Sequence, residues 1–93
     1  MPTEVVTSDQ VRAYQRTLAP EPRRRVKAAI IALAEGSGDL KPLQGDLTGL
    51  WRLRVGEHRI IYRHHDDRIE VFYAAPRENV YEFLAAHWRE LLE

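Results

Sequence analysis

Residues Leu50 to Arg63 read LWRLRVGEHRIIYR, with apolar and cationic side chains alternating on both sides of a Gly56-Glu57 dipeptide. Period-two alternation about a two-residue glycine turn specifies a β-hairpin. On the first strand Trp51, Leu53 and Val55 share one face, while Arg52 and Arg54 share the other. If Val55 lies opposite His58, then Ile60 and Tyr62 join the apolar set and Arg59, Ile61 and Arg63 join the arginines. Such a hairpin has one face for a core and one cationic face suited to phosphate. A β-bulge would break this register.

The flanking segments extend the hairpin into a layered domain. Thr3 to Thr7 (TEVVT) is β-prone and reads as a first strand. Ser8 and Asp9 offer helix N-caps ahead of a short helix over about residues 9–18, with Val11, Tyr14 and Leu18 at helical spacing. Pro20 and Pro22 break that helix and open a second over about 21–35, which Gly36 is placed to end. Residues 36–49 hold four of the five glycines and read as a loop pinned by Leu40, Leu43 and Leu47. Strands follow at about 50–55, 58–65 and 68–75, with Asp66-Asp67 as the second tight turn. On the last strand Ile69, Val71 and Tyr73 alternate with Glu70, Phe72 and Ala74. Residues 79–92 form a tail helix with Val80, Phe83, Leu84, Trp88 and Leu91 on one side. The order β-α-α-β-β-β-α predicts an α+β fold: a small antiparallel sheet, two N-terminal helices on one face and a C-terminal helix.

Composition narrows the function classes. With 93 residues the chain is expected to form a single domain over 1–93. The absence of cysteine excludes disulfides, zinc–thiolate sites and thiol chemistry. No apolar run approaches the roughly 20 residues that span a bilayer, and the N-terminus does not read as a signal peptide, so a cytoplasmic protein without membrane contact is expected. The formal net charge is zero, but residues 1–27 and 41–77 are net basic while 28–40 and 78–93 are net acidic. Any anion-binding surface is therefore local, made by geometry.

From Leu40 to Tyr81 the chain runs LKPLQGDLTGLWRLRVGEHRIIY, an acidic turn, and IEVFYAAPRENVY. This ordered set of a leucine–glycine loop, an aromatic before R-hydrophobic-R-V-G, R-hydrophobic-hydrophobic-Y, and an Arg four residues before a Tyr resembles the RelE/ParE superfamily of toxin–antitoxin toxins. The short first helix and the Arg77–Tyr81 pair are closer to the RelE branch. The resemblance implies a toxin that acts as a ribosome-dependent mRNA endoribonuclease, inhibiting translation without metal or other cofactor. It also implies a cognate antitoxin protein, the ribosome and mRNA as partners, with a homodimer or a toxin–antitoxin hetero-oligomer as the assembly. The alternatives are a ParE-like DNA gyrase inhibitor and a catalytically degraded RelE-fold module kept for antitoxin binding.

By match to the family motif, Arg59, Arg77 and Tyr81 are the catalytic candidates, and Arg52 and Arg54 the RNA-binding ones. Cleavage by the ribose 2′-hydroxyl needs a proton acceptor, positive charge for the phosphorane and a donor for the leaving oxygen. Arginine suits the charge role, because its guanidinium stays protonated and binds two phosphate oxygens at once. Tyr81 is then the acid/base or a platform for a base. Bland readings stand beside these. Arg59 can be an ion-pair partner of Glu57 or Glu70. Arg63 can be a solubilising surface residue, and Arg23, Arg24, Arg25 and Lys27 a solvated helix face. His58 reads as structural, and His64, His65, Asp66 and Asp67 as a polar turn rather than a metal site. Trp88, Phe83 and Leu91 either pack on the sheet edge or form a dimer or antitoxin surface. The acidic tail, with Glu78, Glu82, Glu90 and Glu93, would repel phosphate.

Overall fold

The hairpin forms as the alternation requires. In the computed structural model, which describes residues 3–78 and 80–92, strand β3 (Trp51–Val55) pairs antiparallel with β4 (His58–His65), with Val55 opposite His58 and Arg54 opposite Arg59. Gly56, at φ 58°, supplies the positive φ that a two-residue hairpin turn needs at its first central position. Asp66 does the same at φ 56° in the next turn, leading into β5 (Arg68–Pro76). Asp is among the few side chains that tolerate that conformation.

Strand β1 (Glu4–Thr7) pairs parallel with β5, and a further edge strand β2 (Asp39–Pro42) pairs antiparallel with β3. The sheet order is β1-β5-β4-β3-β2. β2 lies inside the segment expected to be a loop. It is four residues long, flanked by glycine and ended by Pro42, so its alternation is too short to stand out from the loop. Its pairing comes from β3, onto which Leu40 packs opposite Leu53.

Helices α1 (Asp9–Thr17) and α2 (Pro20–Ala32) cover one face. Ser8 caps α1 by accepting from the Val11 N–H, and donates its own hydroxyl to the Phe72 carbonyl at 3.0 Å. Gln10 clamps the same strand, with its amide exchanging two 2.8 Å hydrogen bonds with the Ala74 backbone. These side chains satisfy β5 just beyond the point where β1 ends. Helix α2 stops earlier than expected, passing into a 3-10 turn at Leu33–Glu35 that Gly36 closes in the left-handed conformation at φ 73°. Val11, Val26, Ile30 and Leu33 of this layer bury against Leu53, Ile60, Tyr62, Ile69, Val71 and Ala74.

The opposite face is not a bare cationic surface. Helix α3 (Val80–Leu92) lies on it, and Val80 and Leu84 bury Ile61, Phe72, Tyr73 and Ala75, with Leu43, Leu47, Trp88 and Leu91 packed around them. The expected start of this helix at Asn79 lies outside the described residues, as does Glu93. Trp88 and Leu91 thus pack over the sheet face, while Phe83 stacks on Tyr73 at 5.0 Å and stays 39% exposed.

A register shift opposite Ile61/Tyr62 makes this second core possible. Tyr62 pairs with Val71 and Ile61 with Tyr73, so Phe72 is the extra residue of a β-bulge. The simple alternation expected for β5 fails there: Val71 and Ala74 face α1 and α2, whereas Phe72 and Tyr73 both belong to the α3 side. The bulge lies in the β4–β5 pairing and leaves the β3–β4 register intact.

Leu84 and Ile61 are both fully buried in the core between α3 and the sheet. Leu84→Ala should lower stability by about 2–5 kcal/mol through lost burial and the remaining cavity. Urea unfolding followed by tryptophan fluorescence measures this, and a change under about 1 kcal/mol would mean that α3 is not anchored as described.

Candidate functional site

The β3–β4 register puts Arg52, Arg54, Arg59 and Arg63 on the α3 side of the sheet, but α3 divides them. Ile61 sits between Arg59 and Arg63 and is wholly covered. Arg63 lies on the far side, where its Nε donates to Glu70 at 2.7 Å. That hydrogen bond holds the Glu70 carboxyl below its ordinary range, against the opposing effect of burial. Arg63 is therefore an ion-pair partner and does not join the other arginines.

At the near end Arg54 and Arg59 are direct cross-strand partners, an arrangement of like charges that costs stability unless compensated. Arg59 is 9% exposed, and Nη1 donates to the Gly56 carbonyl at 2.7 Å and the His58 carbonyl at 3.1 Å. It pairs with neither Glu57 nor Glu70. Carbonyl dipoles of its own turn hold it instead, which fixes the guanidinium while leaving its positive charge unneutralised by any carboxylate among the described residues.

Arg77 follows β5 and docks on the same turn. Its backbone N–H donates to the Glu57 carbonyl at 2.9 Å, and its Nε lies 3.4 Å from the Glu57 carboxylate. The side chain is 58% exposed. Arg59 and Arg77, eighteen positions apart in sequence, are thus both tied to the Gly56–Glu57 turn. Tyr81 sits one residue into α3, 40% exposed, and its hydroxyl hydrogen-bonds to neither arginine. Of the expected set, Arg59 and Arg77 are attached to the same turn. Tyr81 is near in sequence and accessible, but not engaged.

Two residues of this face escaped sequence reasoning because β2 did. Asp39 pairs across from Arg54 and Lys41 from Arg52. Asp39 makes ion pairs with both Arg52, at 2.9 Å, and Arg54, at 3.3 Å. The signal that could have found them is the polar alternation Asp39, Lys41 around Leu40, which is too short to register as a strand.

On the α1 side of the same turn the Tyr14 hydroxyl and His58 Nδ1 are 2.7 Å apart, with the rings edge to face. Burial, then Arg25, lowers the His58 pKa below its ordinary 6.5, partly offset by Glu57. Burial, then Glu78, raises that of Tyr14. His58 thus links α1 to the start of β4 beside the turn. Among the described residues no group of three or more His, Cys, Asp or Glu could hold a metal ion. No helix among them is long and apolar enough to cross a membrane.

A family model described as "ParE toxin of type II toxin-antitoxin system, parDE" matches residues 8–81, a span that includes α1, every arginine above and Tyr81. The chain belongs to this toxin family. Its relatives extend to the RelE side of the superfamily. A toxin YoeB of Mycobacterium bovis is 45% identical over 40 residues, covering 42% of this chain and 47% of that protein. A toxin YoeB of Streptomyces coelicolor is 39% identical over 41 residues, covering 43% and 49%. The matches thus span about half the length of these relatives. Among solved structures, the archaeal RelE–RelB complex from Pyrococcus horikoshii OT3 superposes with a TM-score of 0.69 at 27% identity, over 86% of this chain and all of that one. A free-state variant of E. coli toxin RelE gives 0.72 at 14% identity, covering 96% and 98%, a likeness of fold alone. The five-stranded α+β architecture is the fold of these toxins.

Because the folded chain keeps His58 neutral more readily than the unfolded chain does, its contribution to stability is present above the ordinary histidine range. It is lost as pH falls through the lowered value. His58→Gln should therefore flatten the decline of Tm from neutral pH to about pH 5 relative to wild type. A decline of equal slope in both proteins would overturn this account of His58.

Proposed function

We propose that this chain is a ribosome-dependent mRNA endoribonuclease that inhibits translation in the cytoplasm and is neutralised by a cognate antitoxin. The observation that carries the reading is the meeting of Arg59 and Arg77 on the Gly56–Glu57 turn. One is desolvated and rigid, and the other is exposed beside the end of β5. Fixed guanidinium groups of this kind suit the charge that develops on phosphorus oxygens when a 2′-hydroxyl attacks the adjacent phosphate. In that step the 2′ oxygen loses its proton and bonds to phosphorus. The P–O5′ bond breaks, and the leaving 5′ oxygen gains a proton.

In this reading Arg59 and Arg77 face the scissile phosphate without a metal ion, and Arg52 and Arg54 hold the flanking backbone. Tyr81 rotates from its exposed position to supply or accept the proton, or stacks on a base. Neutralisation by an antitoxin is supported by the archaeal RelE relative, whose structure is of a complex with RelB. Glu82 and Glu90 of α3 make no ion pair with the arginines of the turn among the described residues.

Induced expression without antitoxin should arrest growth and cut messages in phase with codons. Arg77→Ala and Tyr81→Phe should each slow cleavage by on the order of 100-fold or more and relieve the arrest. Full toxicity in both variants would rule out these assignments. The ParE description of the family model favours a second reading, inhibition of DNA gyrase. Purified protein that blocks supercoiling by gyrase, while leaving ribosome-bound message intact, would select it.

A further inference from the structure

The Asp39 carboxylate spans two arginines of the face. Oδ1 accepts from Arg52 Nη2 at 2.9 Å, and Oδ2 lies 3.3 Å from Arg54 Nε. Each oxygen engages a different guanidinium, the same two-oxygen bridge that a backbone phosphate makes. Among the described residues neither arginine has another carboxylate within ion-pair distance. Arg52 Nε is buried without a hydrogen-bond partner, so this guanidinium is held by Asp39 alone. The outer side of the bridge is open, with the Asp39 and Arg54 side chains 52% and 55% exposed. The exposed Asp39–Arg54 contact contributes little to stability, so its carboxylate exchanges readily for another anion, whereas Arg52, only 14% exposed, needs an anion kept in that seat.

We propose that Asp39 is a positioning residue for an RNA backbone phosphate: it holds Arg52 and Arg54 at the spacing of a bridging anion and yields that seat when RNA binds. The inference rests on the RNA-cleavage reading and identifies the part of that site that is neutralised in advance. Lys41, Arg52, Arg54 and Arg59 share this face with Asp39 as its compensating charge. Without it, their mutual repulsion loosens the arginine pair. With it, RNA binding swaps one anion for another and releases fewer counterions than the arginine count alone implies.

Asp39→Asn keeps the shape and removes the charge. With a short labelled single-stranded RNA as probe, the variant should bind about three- to tenfold tighter at low salt. The slope of log K against log salt should steepen by about 0.7, the increment of one phosphate on a single strand. In ribosome-dependent cleavage KM should fall while kcat also falls, because a looser pair binds the ground state better and orients it less well. Glu21→Gln, which removes the same charge from the Glu21–Arg24 pair on α2, serves as the control for bulk charge and should leave the slope at its wild-type value. Asp39→Glu restores the carboxylate and should return the slope towards wild type, which keeps the test valid if the asparagine variant has a lowered Tm.

An unchanged slope, or weaker binding, in Asp39→Asn while wild type still binds and cleaves would overturn the inference and leave the RNA reading standing. A slope equally steepened by Glu21→Gln would overturn it too. Failure of the wild-type protein to bind RNA or cleave message would overturn both.

Discussion

Strand β5 is the backbone on which the rest of the molecule depends. β1 joins one of its edges in parallel and β4 the other in antiparallel fashion. Where β1 ends, Ser8 and Gln10 take over its hydrogen bonds, so α1 starts in a fixed place. The unpaired N–H and C=O groups of a strand are costly to bury, and β1, β4, Ser8 and Gln10 pair those of β5 along both of its edges. The bulge at Phe72 then turns two consecutive aromatic side chains towards α3. That single extra residue gives the sheet a second core.

The two-sided core explains how a neutral protein presents a cationic site. A sheet covered on one face only would show a continuous row of arginines. Here Ile61, Phe72, Tyr73 and Ala75 require cover, and α3 provides it. The arginines are thereby sorted by position. Arg63 is left with Glu70, and Arg54, Arg59 and Arg77 gather around the Gly56–Glu57 turn. Charge is concentrated at this turn, where Asp39 and Glu57 balance part of it and Arg59 has no carboxylate partner among the described residues.

Three devices hold the four arginines of the site, and they imply different freedoms. Turn carbonyls fix Arg59, which is nearly buried. Glu57 steadies Arg77 at the surface, where long side chains move readily. Asp39 ties Arg52 to Arg54. A rigid centre with exchangeable carboxylates around it fits a polyanion whose phosphates must compete for their seats, since surface ion pairs are weak and screened by salt.

The sequence alone determined the elements whose signals are local. Alternation and a glycine turn fixed the β3–β4 register and the shared side of Arg52, Arg54 and Arg59. A serine cap, paired prolines and helical spacing fixed α1 and α2 to within a few residues. The motif from Leu40 to Tyr81 pointed to the superfamily. Tertiary structure decided what depends on distant partners. β2 exists because β3 offers it an edge, the bulge because Phe72 and Tyr73 both have a partner in α3, and the Asp39 bridge because β2 pairs in that register. Hydrogen bonding between strands far apart in sequence leaves no period in either strand. The arginines and the tail helix were therefore legible, while the ion pairs that hold those arginines and the place of the helix on the sheet were not.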